Sequence, residues 1–166
     1  MNQQRGPIGV FDSGVGGLAV LWELRRRLPA EDIHYFADQA HFPYGVRTAT
    51  DVRRLSIEAG DRLVAEGAKL LVVACNTASS AALPAMRQRF GVPVVGIEPA
   101  VKPACAITRC GRIGVLATGG TAQGMALKGL IERVAGLRHS QGFGGEVYGC
   151  GCDGTGAHRS RGPPRG

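Results

Sequence analysis

The chain has 166 residues, of which 44% are hydrophobic and 20% charged, a length and composition typical of one globular domain or slightly more. It has no apolar run of the roughly 18 residues that a membrane-spanning helix needs, and its first residues, MNQQRGP, lack the apolar stretch of a secretory signal. We therefore expect a cytoplasmic protein with no membrane partner. Its 5 cysteines are irregularly spaced, so we do not expect a disulfide framework.

The net charge of +7 raises the question of a nucleic-acid partner. The arginines are scattered, however, and their only run, at residues 25–27, falls late in a predicted helix, where cations suit the helix dipole. We therefore expect no nucleic-acid partner.

Short apolar runs alternate with segments of helical periodicity up to residue 135. In chain order the pattern predicts strand 8–11, helix 15–28, strand 33–37, helix 52–66, strand 69–74, helix 77–90, strand 92–97, helix 99–107, strand 112–117 and helix 121–134. This alternation predicts an α/β fold built of βα repeats, with a mostly parallel sheet and helices on both faces. Ligands of such sheets bind at the carboxyl ends of the strands, so the residues that follow each strand are the candidate site.

The segment 136–166 has a different composition. It holds 10 of the 26 glycines, with one leucine, one valine and no isoleucine or methionine. So little apolar surface cannot offset the entropy of ordering, and we expect a disordered Gly/Arg-rich tail. A frameshift after about residue 136 in a GC-rich gene is one hypothesis for its origin. Cys150 and Cys152 have C-x-C spacing near His139 and His158, not the spacing of zinc modules, so we predict no metal site.

The first predicted strand leads into FDSGVGGLA at residues 11–19. Asp12 and Ser13 stand at its carboxyl end, and the glycines that follow allow a tight turn and close approach of a ligand. Residues 14–19 also fit G-x-G-x-x-A, a dinucleotide-binding fingerprint in which Asp38 would hold the ribose. Against that interpretation, Asp12 would place a carboxylate beside the pyrophosphate. A plain strand-to-helix turn is the third interpretation, and it gives Asp12 no role.

The third predicted strand leads into ACNTASS at residues 74–80. Cys75 stands where this strand meets a helix, with Asn76 or Thr77 as the expected N-cap. Amide N–H groups and the dipole at a helix N-terminus favour a thiolate and also bind carboxylates. Cys75 is therefore a candidate nucleophile or base. The alternative is an inert buried cysteine, which the polar residues beside it and Asp12 on the neighbouring strand disfavour.

Three further segments follow strands. The loop of Pro43, Tyr44 and Gly45 can present a hydroxyl and a backbone N–H to a ligand, or it is a surface turn with a packed tyrosine. The polar residues at 98 and at 118–121 fit helix caps. Cys105 and Cys110, in or near a predicted helix, are expected to be packing residues.

Together these motifs resemble glutamate racemases of the cofactor-independent aspartate/glutamate racemase superfamily. The matching segments are FDSGVGGL at 11–18, FADQAHFPYG at 36–45, VACNTAS at 73–79, VVGIEPAVKPA at 94–104 and IGVLAT at 113–118. They occur in register and cover nearly all of residues 7–135. The resemblance implies an isomerase that interconverts L- and D-glutamate without cofactor or metal, supplying D-glutamate for peptidoglycan. One thiolate takes the α-proton and a second thiol returns a proton from the opposite face.

The resemblance also implies roles for individual residues. It places the first catalytic cysteine at Cys75 and its supporting aspartate at Asp12. The substrate-binding positions that it implies are Asp12, Ser13, Pro43, Tyr44, Gly45, Cys75, Asn76, Thr77 and Thr118. Glutamate is the expected partner, and a homodimer is compatible with the full-length family.

The chain departs from the family in its second half, because neither Cys150 nor Cys152 lies in a C-T-H-Y-P-like motif. We interpret residues 1–98 as the domain with the first catalytic cysteine, 99–135 as the first elements of a second domain, and 136–166 as a non-native tail. We therefore expect a racemase truncated in its second domain and inactive as it stands. The open alternatives are a racemase for aspartate or another amino acid, and a non-catalytic module that binds a dinucleotide or a protein partner.

Overall fold

The computed structural model describes residues 6–109, 112–122, 124–133, 138–142 and 145–149. Its strands are β1 (Ile8–Asp12), β2 (Ile33–Ala37), β3 (Leu70–Val73), β4 (Val94–Gly96), β5 (Arg112–Val115), β6 (Arg138–Gly142) and β7 (Gly145–Gly149). Its helices are α1 (Leu18–Arg27), α2 (Ala49–Ala65), α3 (Asn76–Arg89), α4 (Val101–Ile107), α5 (Gly119–Ala122) and α6 (Met125–Arg133). Within the described part of the chain, no helix is both long enough and apolar enough to cross a bilayer.

A four-stranded parallel sheet in the order β2-β1-β3-β4 forms the first half of the molecule. This confirms the predicted α/β fold of parallel βα repeats. Because β1 and β3 are neighbours, their carboxyl ends lie side by side at one edge of the sheet. The strand order therefore brings the Asp12 and Cys75 segments together, although 62 residues separate Ser13 from Cys75.

The two faces of this sheet carry separate cores, as the alternation of side chains along a strand requires. Phe11, Leu71 and Val73 point to the face covered by α2 and α3. Val10 and Val72 point to the other face, which is covered by α1. Helices on both faces were predicted from the βα alternation, and the structure confirms them.

Two helix boundaries differ from the predicted ones for local reasons. The second helix begins at Ala49 and not at 52, because the Thr48 hydroxyl accepts a hydrogen bond from Asp51 N at 3.1 Å and so caps the helix. Gly67 lies in the turn after this helix and has a φ of 88°, a conformation that favours glycine. The first helix begins at Leu18 and not at 15, because the glycine-rich segment before it forms turns.

The helix predicted at 121–134 is two helices, α5 and α6, with Gly124 between them. A side chain at Gly124 would collide with Ser80 Oγ on α3, so the chain passes close to α3 here. Glycine also has a low helix propensity, and both effects account for the interruption.

The predicted tail contributes two strands to the described part of the chain. β6 and β7 pair antiparallel, and β7 pairs antiparallel with β5, giving the order β5-β7-β6. Apolar content does not reveal such strands, because their pairing is made by backbone groups that glycine also carries. The division of the chain into two domains and a tail stays a prediction. The C-x-C pair at 150 and 152 lies outside the described residues.

Cys105 departs from the expectation of a plain packing residue. It packs against the core of the second half, formed by Val101, Leu127 and Leu130, but it also takes part in a disulfide bond. The irregular spacing of the cysteines does not indicate that bond. Cys110 lies outside the described residues.

Candidate active site at the carboxyl ends of the strands

The ends of β1, β2 and β3 are tied together by backbone hydrogen bonds. Ala74 N donates to Phe11 O at 2.7 Å, and Asp38 N donates to Asp12 O at 2.9 Å. These bonds continue the strand pairing one residue beyond each strand. They place the residues that follow the strands, including the predicted Asp12, Ser13 and Cys75, at one edge of the sheet.

Cys75 is the N-cap of α3, a position that we had predicted for Asn76 or Thr77. Its Sγ accepts a hydrogen bond from Ala78 N at 3.4 Å. The same sulfur lies 3.3 Å from Ser13 Oγ, and the residue is 7% exposed. The sequence prediction failed because sulfur is a weak acceptor and is rarely expected to cap a helix.

Asp12 is buried, and one oxygen of its carboxylate accepts a hydrogen bond from Gly14 N at 2.9 Å. Gly17 packs beneath this carboxylate. A Cβ on Gly17 would lie 2.7 Å from Asp12 Cβ and 3.0 Å from Ala74 Cβ. Glycine is therefore required where α1 approaches the ends of both β1 and β3. This packing explains the glycine-rich motif without a bound dinucleotide.

Asp38 is occupied by protein donors, which argues against a ribose ligand at this position. Its carboxylate accepts a hydrogen bond from the Tyr44 hydroxyl at 2.7 Å and lies 2.8 Å from His41 Nδ1. Both Asp38 and Tyr44 are buried. Burial first, and then the bond to Asp38, raise the pKa of Tyr44 far above that of a free tyrosine.

Of the two interpretations of the 43–45 loop, the structure favours the packed tyrosine, because the Tyr44 hydroxyl points into the protein and bonds to Asp38. The backbone groups of this loop can still face a ligand. Gly45 lies against Thr118, since a Cβ on Gly45 would be 2.7 Å from Thr118 Cγ2. Pro43 is exposed, and the loop thus forms one wall beside Thr118.

The start of α3 faces the start of α5 through three hydroxyls. Thr77 Oγ1 lies 3.1 Å from Thr118 Oγ1 and 3.4 Å from Thr121 Oγ1, and Thr118 Oγ1 donates to Thr121 Oγ1 at 3.0 Å. Asn76 and these threonines line a cavity of about 510 Å³ between the two halves of the molecule. Thr121 is 3% exposed and was not among the predicted site residues. Its signal is the T-x-x-T spacing from Thr118, which places both hydroxyls on one side of a helical turn.

Tyr35 stands beneath the Asp12–Gly14 turn. Its hydroxyl donates to Gly14 O at 3.4 Å. Burial first, and then the negative charges of Asp12 and Cys75, raise the pKa of Tyr35 to about 12. Neither Tyr35 nor Ser79, a buried serine of α3, was predicted as part of the site, because neither directly follows a strand.

Of the predicted site residues, Asn76, Thr77 and Thr118 line the cavity of about 510 Å³. Ser13 contacts Cys75 and Gly45 lies against Thr118, so these contacts link the strand ends to the residues around the cavity. This edge of the sheet has a thiol at a helix N-terminus, a buried carboxylate and several hydroxyl and amide donors. These groups suit proton transfer on an anionic substrate. Within the described residues no group of three or more His, Cys, Asp or Glu side chains is placed to hold a metal ion.

Residues 8–154 match the family model described as Asp/Glu/Hydantoin racemase. The chain belongs to this family. The glutamate racemase of Deinococcus radiodurans is 52% identical over 144 residues, covering 85% of this chain and 50% of the relative. The glutamate racemase of Pseudomonas paraeruginosa is 54% identical over 136 residues, covering 81% of this chain and 51% of the relative.

Solved structures agree with this assignment. Escherichia coli glutamate racemase, in complex with L-glutamate and the activator UDP-MurNAc-ala, has a TM-score of 0.72 at 41% identity, covering 78% of this chain and 49% of that one. The Thermus thermophilus enzyme, in complex with beta-chloro-D-alanine, has a TM-score of 0.66 at 48% identity, covering 74% and 47%. The chain therefore spans about half the length of the racemases that it matches. The family match also includes β6 and β7, beyond residue 136.

Substitution of Gly17 by alanine is expected to disturb the site. The added Cβ would press on Asp12 and Ala74, so we expect the free energy of unfolding to fall by about 1–3 kcal/mol. Gly16 is the matched control, because a Cβ there meets no atom within 4 Å. Gly16→Ala should stay within about 0.5 kcal/mol of the wild type in urea denaturation. Equal losses in the two variants would show that the Gly17 packing is not as tight as described.

The raised pKa of Tyr35 predicts a loss of stability at alkaline pH. The folded chain keeps a proton up to pH about 12 that an unfolded tyrosine releases near 10.0, so the free energy of unfolding falls as pH rises between these values. Tyr35→Phe should lose less stability over this interval, as measured by urea denaturation at about pH 9 and about pH 11. An absorbance titration of tyrosinate should also lose the component near 12. The description of Tyr35 is wrong if the wild type and the variant have the same alkaline slope.

Proposed function

We propose that this chain carries one half of a glutamate racemase site, the half that holds the first of two catalytic cysteines. Cys75 is the base that acts on one face of the substrate α-carbon. The observation that carries the proposal is the position of Cys75 Sγ at the start of α3, within hydrogen-bonding distance of Ser13 Oγ and Ala78 N. Donors around a thiol favour its thiolate form, which is the form that can accept a proton.

In the proposed step, the Cα–H bond breaks and its proton passes to the Cys75 thiolate. The electron pair left on Cα is delocalised into the α-carboxylate, which gains negative charge. The first amides of α3, at Asn76 and Thr77, have no partner within the helix and can stabilise that charge. A second thiol on the opposite face must then return a proton to complete the inversion.

The other site residues hold the substrate. One Asp12 oxygen already accepts from Gly14 N, and the second can accept a hydrogen bond from the substrate ammonium group. The Thr77 and Thr118 hydroxyls and the backbone N–H groups of Tyr44 and Gly45 are suited to the second carboxylate. Glutamate as substrate, the supply of D-glutamate for peptidoglycan and a cytoplasmic location are parts of this proposal, as is a homodimer for the full-length protein.

By itself the chain is expected not to racemise glutamate. The two-base route needs a second thiol on the opposite face, and none of the other cysteines lies in a C-T-H-Y-P-like motif. The domain division at residue 98 and the frameshift after about residue 136 stay predictions, and the DNA downstream of codon 136, read in all three frames, tests the latter.

The proposal predicts that glutamate protects Cys75 from alkylation. A ligand that covers the thiol should lower its reaction rate with iodoacetamide at least about tenfold at saturation. Mass spectrometry of the tryptic peptide 70–87 isolates the signal, because its only cysteine is Cys75. Thr77→Val is expected to weaken the protection, while Val46→Ala, on an exposed position, should leave it unchanged.

The same assay separates the candidate functions. Protection by aspartate at lower concentration than glutamate would favour the aspartate racemase alternative. Protection by NAD, and none by either amino acid, would favour a dinucleotide-binding module and would contradict the proposal.

A further inference from the structure

Ser79 is a buried serine on α3 that none of the roles above uses. It is 5% exposed. Its hydroxyl donates to Val73 O at 3.1 Å and accepts from Ile97 N at 3.2 Å. Its own amide donates to Cys75 O at 2.8 Å. One residue therefore joins the end of β3, the Cys75 turn and the exit of β4.

The hydroxyl occupies a position in the strand ladder that a direct backbone bond would otherwise fill. In the β3–β4 pair, Leu71 is opposite Val94, and Leu71 N donates at 2.9 Å to the carbonyl of Pro93, the residue just before β4. By the alternation of parallel pairing, the carbonyl of Val73 would accept from the N–H of Ile97. Ser79 Oγ stands between these two groups and bonds to both.

The strands are consequently held apart by one hydroxyl at the point where the Cys75 turn begins. Gly96, the last residue of β4, leaves room for it, since a Cβ there would lie 3.1 Å from Ser79 Oγ and 2.6 Å from Leu83 Cδ2. Without the hydroxyl, either Val73 O and Ile97 N lose this partner or the strands close directly. Both outcomes move the turn that carries Cys75.

We propose that Ser79 is a positioning residue for Cys75: its hydroxyl bridges β3 and β4 and so fixes the thiol against Ser13 Oγ and Ala78 N. This inference rests on the proposed function in that Cys75 is the reacting group. The consequence is measurable on the thiol itself, without turnover.

The test is the pH profile of Cys75 alkylation in the full chain, followed on peptide 70–87. Ser79→Ala should raise the midpoint of the profile by at least about half a pH unit, roughly a threefold loss of thiolate, because the thiolate loses its fixed N–H donor. Ser79→Thr keeps a hydroxyl and should keep the wild-type midpoint. Near-UV circular dichroism verifies folding, and sucrose is added to all samples if Ser79→Ala is partly unfolded.

Ser56→Ala is the matched control. Ser56 is another buried serine within a helix, but its hydroxyl donates to Val52 O of the same helix, at 2.7 Å, and so bridges no strands. It should lower stability without moving the midpoint. A wild-type midpoint in Ser79→Ala, an equal shift in Ser56→Ala, or an equal shift in Ser79→Thr would each overturn the proposal.

The two proposals can fail separately. If glutamate does not protect wild-type Cys75 while Ser79→Ala still shifts the midpoint, the substrate assignment is wrong and the positioning role holds. If glutamate protects and the midpoint does not move, only the role of Ser79 is wrong.

Discussion

The turn between β3 and α3 constrains the rest of the structure, because Cys75 caps α3 there and is also the reacting thiol of the function that we propose. Sulfur accepts hydrogen bonds more weakly than the oxygen atoms that usually cap helices. The start of α3 is therefore held by additional contacts. Ala74 N bonds to Phe11 O, and Ser79 joins the turn to β4. These contacts let a weak cap occupy the position where a thiolate is most favoured.

The same constraint explains the packing around the turn. The parallel pairing of β1 with β3 brings the ends of these strands, and with them Asp12 and Cys75, to the same edge of the sheet. Residue 17 then has to be a glycine, since the approach of α1 to both strand ends leaves no room for a Cβ beside Asp12 and Ala74. The site is thus built by backbone geometry first, with reactive side chains placed on fixed strand ends.

The sequence was sufficient for the α/β class, for the order of strands and α-helices as far as β5, and for the placement of Cys75 between a strand and a helix, because apolar periodicity and strand-end polarity are local signals. Contacts between distant segments were not readable. The sequence left open whether the Tyr44 hydroxyl faces a ligand or packs, and the structure shows it bonded to Asp38. Thr121 joins Thr77 beside the cavity, a contact that the sequence did not predict. Pairing of β7 with β5 was also missed, because backbone hydrogen bonds leave little trace in a glycine-rich sequence.

The central claim is that Cys75 acts on one face of an amino-acid α-carbon, and proton exchange measures this directly. Glutamate is incubated with the chain in D2O, and the α-proton signal is followed by NMR for each enantiomer. We expect the wild type to exchange the α-proton of one enantiomer without inversion, and we expect no exchange by Cys75→Ser. Exchange by Cys75→Ser at the wild-type rate, or no exchange by the wild type with either enantiomer, would contradict the claim.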